Sequence, residues 1–192
     1  MTSSTLTPPT GRVDPAPGPA ADAGHVLAFA APLVLFVHGI LRWVDGVDGH
    51  PGSGPLAVAS GAFLVIAVAG FAWLTVALGS RVEHLPVAVP AGLLAAFGAG
   101  ATGAVWVGRT VGVLADAIPS ALAIGGPVLV GVALAVVLLA LTIEARMPVG
   151  SLALAGVAAS VVVLPWDLLP LGALLLLIAF GSLTQPQNSP RR

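Results

Sequence analysis

Four stretches of this chain, Val26–Val44, Leu56–Leu78, Val87–Gly108 and Ala121–Ile143, are long and apolar, and the last three contain no Asp, Glu, Lys or Arg. About 20 such residues, wound as a helix, cross the roughly 30 Å hydrocarbon core of a bilayer. Soluble domains carry about 25% charged residues, whereas this chain carries 8%. A water-soluble globule is excluded. A helix satisfies its own backbone N–H and C=O groups inside lipid. The sequence is therefore read as an all-α, polytopic transmembrane bundle.

The last apolar stretch, residues 149–183, is 35 residues long. As one helix it would run about 52 Å at 1.5 Å per residue, far beyond the membrane core. Pro165-Trp166-Asp167, followed by Pro170, breaks helix and initiates a turn. Two short helices, 149–164 and 168–183, joined by a tight turn are expected. A single tilted, kinked helix with an interfacial end is the alternative. Six helices then fill a domain of residues 25–184. Residues 1–24, rich in Pro, Ser, Thr, Gly and Ala, form a disordered tail, and 185–192 a short C-terminal tail. The first tail lacks the basic n-region of a signal peptide, so the first apolar segment is expected to persist as a spanning helix.

Arginine placement supports this count. The chain has seven Arg and no Lys. With six helices and both termini in the cytoplasm, Arg12, Arg81, Arg146, Arg191 and Arg192 lie inside and Arg42 and Arg109 outside; five helices would give three against four. The positive-inside rule favours six. Trp43, Trp106 and Trp166 then fall at one membrane boundary, where amphipathic indole rings concentrate. Trp73 lies deeper, as a lipid-facing or packing residue.

The same composition removes several chemistries. Without Cys there is no disulfide, thiolate metal site or thiol nucleophile. Seven scattered Arg build no basic face for nucleic acid. Of the four His (His25, His38, His50 and His84), only His38 lies inside a helix, whereas a b-type haem needs two facing rings. The run DGVDG resembles part of a calcium loop but lacks the following acidic ligands, and its Asp-Gly pairs suit turns. No nucleophile elbow, HExxH helix or P-loop is present. The expectation is no metal, no cofactor and no catalytic set, leaning away from an enzyme.

What remains is a polar face. His38, Arg42 and Asp45, spaced i, i+4 and i+7, stack on one side of the first helix. Ionisable groups within a membrane are costly and mark functional sites by default. Arg109, Asp116 and Asp167 fall at the same boundary, with Asp48 and His50 in the adjoining loop. Counting two Arg and four Asp gives that boundary a charge of −2 with His neutral. Such a cluster suits a cation, or a proton relay through His38. The plainer reading is that Arg42 snorkels to headgroups while Asp45 caps the helix or faces water, the pair only holding helices together.

Two packing features accompany it. Gly92, Ala96, Gly100, Ala104, Gly108 and Gly112 place a small residue every four positions along the third helix. Such a ridge lets a neighbouring helix approach closely, within the chain or in a homo-oligomer. In addition, HVLAFAAPLVLFV from His25 can be laid on SALAIGGPVLVGV from Ser120, aligning Pro32 with Pro127. Three helices per half would make the halves inverted, although the His38-Arg42-Asp45 face has no counterpart in the fourth helix.

The runs HGILRWVDGVDGHPGSGPL at 38–56 and DLLPLGALLLL at 167–177 resemble multi-pass membrane proteins of high-GC Gram-positive bacteria to which no activity is assigned. The resemblance implies a bacterial plasma-membrane location and transfers no functional residue. Function is expected to be that of a non-catalytic scaffold, accessory or assembly subunit, with the bilayer and a membrane protein or second copy as partners. The alternative is a small transporter or substrate-binding subunit using the polar cluster at the outer face.

Overall fold

The computed structural model describes residues 19–47, 54–112, 120–163 and 168–181. All regular structure among them is helical: α1 (Pro19–Val47), α2 (Pro55–Gly79), α3 (Ala88–Val111), α4 (Ser120–Ile143), α5 (Val149–Val163) and α6 (Leu169–Gly181). Four helices contain segments long and apolar enough to cross a membrane: Val26–Val47, Pro55–Gly79, Ala88–Val111 and Ile124–Ile143. Among the described residues the chain is all-α, with six helices, four of them carrying apolar segments of membrane-spanning length. The tail up to residue 18, the C-terminal tail, Asp48, His50, Asp116, Pro165, Trp166 and Asp167 lie outside the described residues.

Helix α1 starts earlier than the first apolar run, so residues 19–24 are helix rather than tail. Pro19 opens the first turn, where a missing N–H costs nothing, and three alanines follow within five residues. Helix α5 ends and α6 begins around the Pro165–Pro170 stretch, as its prolines require. The two are 15 and 13 residues long, against 25 and 24 for α2 and α3. The halves of the proposed repeat are thus unequal. Pro32 and Pro127 do both lie inside helices.

Helix α1 packs between α2 and α6, α2 touches α3 and α4, α3 lies along α4, and α5 pairs with α6. Ala67 and Leu74 of α2, Ala133 and Val137 of α4, and Ala173 and Phe180 of α6 are buried in the shared core. Phe71 and Phe180 meet there with ring centroids 6.4 Å apart at 56°, the tilted arrangement aromatic quadrupoles favour. Leu93, Phe97, Leu139, Ile178 and Trp73 face outwards, which suits lipid and would be intolerable in water. Buried Thr75 and Thr102 return their hydroxyls to the carbonyls of Phe71 and Gly98, each at 2.8 Å, leaving no orphan donor among hydrocarbon.

At the end where α2 and α4 finish, a polar latch joins two loops. Ala145 adopts φ 57° and closes α4, with Arg146 N–H on Leu141 O and Ala145 N–H on Thr142 O. No glycine announces this cap in the sequence. It aims Glu144 at the α2–α3 loop, where Glu83 and His84 donate backbone N–H groups to its carboxylate at 3.1 and 2.8 Å. Arg146 meets Glu83 at 2.6 Å and donates to the Arg81 carbonyl at 2.7 Å.

The His84 N–H, then the Glu83 N–H and the nearby cations, hold the Glu144 carboxyl below its ordinary value of 4.5 against the opposing effect of burial. A depressed folded-state value contributes stability above the unfolded value, and that contribution disappears as pH falls through the folded one. Thermal unfolding in detergent should therefore show no Glu144-dependent change from neutral pH down to about 4.5, and a loss below it. In Glu144→Gln that acid-dependent loss should shrink; an unchanged acid profile would disprove the latch.

Candidate binding site at the end of alpha 1

The opposite end of the bundle holds the polar face expected from sequence. The last turns of α1 and α3 run alongside the first turns of α2 and border a half-open cavity of about 800 Å³. Its lining includes His38, Arg42 and Asp45 from α1, Ser60 and Gly61 from α2, and Thr102, Trp106 and Arg109 from α3. Four of the six residues expected to cluster thus share one cavity. Asp116 and Asp167, the other two, lie outside the described residues.

Helix geometry orders these groups by depth. Arg42 stands one turn, about 6 Å, above His38, and Arg109 about 10 Å above Thr102. The mouth therefore carries the charges, the middle carries Trp106, and the floor carries His38 and Thr102 between the apolar side chains of Leu64, Val65 and Val105. Arg42 and Arg109 are exposed, whereas Asp45 is 8% exposed and His38 3%. The described lining residues include two Arg and one Asp. Asp48, Asp116 and Asp167, the other acidic residues of the boundary counted from sequence, lie outside the described residues.

His38 is fixed by α2. Its Nδ1 lies 2.7 Å from the Ser60 carbonyl oxygen and 2.9 Å from Ser60 Oγ. Nδ1 can donate to the carbonyl oxygen or accept from the hydroxyl, according to the tautomer of the ring. Nε2 is buried and has no hydrogen-bond partner. His38 is thus a buried residue tied to α2 through one ring nitrogen.

The wall opposite depends on a glycine. A Cβ at Gly61 would stand 2.5 Å from Trp106 Cδ1 and 2.7 Å from its Nε1, so glycine lets the edge of the indole approach α2. Trp106 Nε1–H donates to Val58 O at 3.3 Å, holding the ring there. Trp106, near the end of α3, is half-buried in this wall. Trp43 and Trp73, each 63% exposed, do face outwards. Sequence reasoning missed Ser60, Gly61, Thr102 and Trp106 as site residues, since the pairing of Gly61 with Trp106 joins two helices and leaves no local period.

The small-residue ridge divides. Gly108 is buried and Gly92 half-buried beside Val76, but Ala96, Gly100 and Ala104 are exposed on the outer side of α3. The close approach to α4 is made instead by Gly98, two positions off the ridge. Among the described residues no group of His, Cys, Asp and Glu is arranged to hold a metal. Comparison of the chain with known families, curated proteins and solved structures finds no match.

Proposed function

We propose that this protein binds a small organic anion from the outer face of a bacterial plasma membrane, as a small transporter or the substrate-capturing subunit of one. The observation that carries the reading is the convergence of His38, Arg42, Asp45 and Arg109 on one cavity within the size range of ligand pockets. A buried imidazole and a buried carboxylate line this half-open space together with two exposed Arg side chains. Guanidinium forks suit carboxylate or phosphate. The outer orientation follows from the arginine bias, with both termini cytoplasmic, and the plasma-membrane setting from the resemblance of residues 38–56 and 167–177.

A binding screen on purified protein tests the reading. Medium-chain monocarboxylates should raise the thermal midpoint, and the matching alkylamines and amides should not. Arg109→Gln should weaken carboxylate binding about tenfold or more, as loss of one charge-assisted pair implies. A preference for the amines would instead favour a cation site, and silence from all three classes would sink ligand binding altogether.

A second reading, of an accessory or assembly subunit, draws on the outward stripe of Ala96, Gly100 and Ala104, which suits a second copy or a partner helix in the membrane. In mild detergent this predicts a stoichiometric complex that bulky residues on the stripe dissociate.

A further inference from the structure

Resting on the reading of the cavity as the binding site of a transporter, we propose that the latch between the α2–α3 and α4–α5 loops is a gate, closing the end of the bundle opposite the cavity and parting to open a path along α2. One face of α2 joins the two places. Leu64 lines the cavity, and Val68, Phe71, Thr75 and Leu78 follow it at i+4, i+7, i+11 and i+14, which keeps them on the same side of the helix. All four are buried. Leu78 lies about 21 Å beyond Leu64, in the last turn of α2, and Arg81, Glu83 and His84 of the latch follow it in the chain. The cavity and the latch are thus the two ends of one buried seam.

The seam is held differently along its length. Its middle is apolar, and lipid tails are as apolar as the side chains there, so no hydrophobic force drives these helices together. Thr75 returns its hydroxyl to Phe71 O within its own helix and needs no partner across the seam. The closing contacts are polar and come from loops. Glu144 takes the backbone N–H groups of Glu83 and His84, while Arg146 bridges Glu144, Glu83 and the Arg81 carbonyl. The side chains of Glu83, His84 and Arg146 are 61%, 80% and 37% exposed, so water can replace their partners and the contact can break and reform. Helix α4 supplies the lever. It meets α3 backbone to backbone at Gly98 and Gly126, near its start, and touches α5 only lightly. Its other end, about 26 Å further on, leads directly into Glu144 and Arg146.

The chain has no cysteine of its own, so single cysteines report the seam in the full chain in lipid nanodiscs. Leu64→Cys at the cavity, Thr75→Cys in the seam and Ala173→Cys in the core of α6 are each treated with a small charged thiol reagent. With the latch intact, Leu64→Cys should react, whereas Thr75→Cys and Ala173→Cys, at positions 1% and 0% exposed, should not. Adding Arg146→Gln should speed labelling of Thr75→Cys about tenfold or more and leave the other two as before. Glu83→Gln removes only its pair with Arg146 and should speed that labelling about two- to fivefold; it carries the test if Arg146→Gln does not fold. Labelling of Thr75→Cys unmoved by both latch variants overturns the gate and leaves the cavity standing. Equal acceleration at Ala173→Cys means that the latch only holds the fold together, and also overturns the gate. A Leu64→Cys that never reacts overturns the cavity reading, and the gate with it.

Discussion

Leucine at Gly98 is expected to cost the folded bundle about 3 kcal/mol, at the upper end of what overpacking does, whereas leucine at Gly100 changes stability by less than about 0.5 kcal/mol. The two sites lie half a turn apart on one helix, in one lipid environment. A Cβ on Gly98 would stand 2.6 Å from the Gly126 carbonyl oxygen and 2.9 Å from Val130, and backbone cannot swing aside as a side-chain tip can. Around Gly100 nothing lies within 4 Å. Gly126 mirrors the constraint, with a Cβ there 2.8 Å from Gly98 O. Lipid tails are as apolar as leucine, so burial against α4 brings the larger side chain no compensating transfer energy. Equilibrium unfolding in mixed micelles, with Gly100→Leu as control, measures the difference. Equal losses at both positions would contradict the α3–α4 crossing described here. Gly100→Leu has a second use: if the outer stripe of α3 seats another helix, this variant stays folded and loses the complex.

Gly61→Leu should leave the protein folded and abolish carboxylate binding, with a loss of about 100-fold or more. The added side chain meets Trp106 at its Cδ1 and Nε1, and a half-buried indole can leave α2 at the modest cost of its hydrogen bond to Val58. The leucine then occupies the space between α2 and α3 where the middle of the cavity lies. Binding by calorimetry and folding by thermal unfolding separate the two effects. Retention of full affinity in a folded Gly61→Leu protein would show that the ligand sits elsewhere.

Much of this architecture was legible from charge placement alone. The uncharged runs marked α2, α3 and α4, and prolines flanking Trp166 marked the division between α5 and α6. The spacing of His38, Arg42 and Asp45 announced a shared face because helical period is a local property. Arg109 joined them through topology: an odd-numbered helix ends on the same side as α1. What the sequence concealed belongs to pairs of helices. Nothing local says that Gly98 rather than Gly100 turns towards α4, because both satisfy a small-residue pattern and only the rotation of α3 selects between them. The Trp106–Gly61 wall and the grip of the Ser60 carbonyl on His38 are of the same kind. Glu144 was hidden differently, by a helix cap built on Ala145 where the usual signal is glycine.

The contact between Gly39 and the start of α6 has a consequence for the surrounding lipid. A Cβ at Gly39 would stand 2.9 Å from Leu169 and 3.0 Å from Pro170, so α6 begins level with Gly39, about 12 Å below the end of α1. Helices α5 and α6, about 22 and 20 Å long, are shorter than the roughly 30 Å hydrocarbon core beside α2, α3 and α4. Lipid beside the α5–α6 flank is expected to thin to match these shorter helices, which acyl-chain-length dependence of thermal stability in defined bilayers would check. Acyl-chain length thereby becomes a variable that sets how firmly that hairpin seats against α1, and the membrane's own thickness acts on the helix that carries His38.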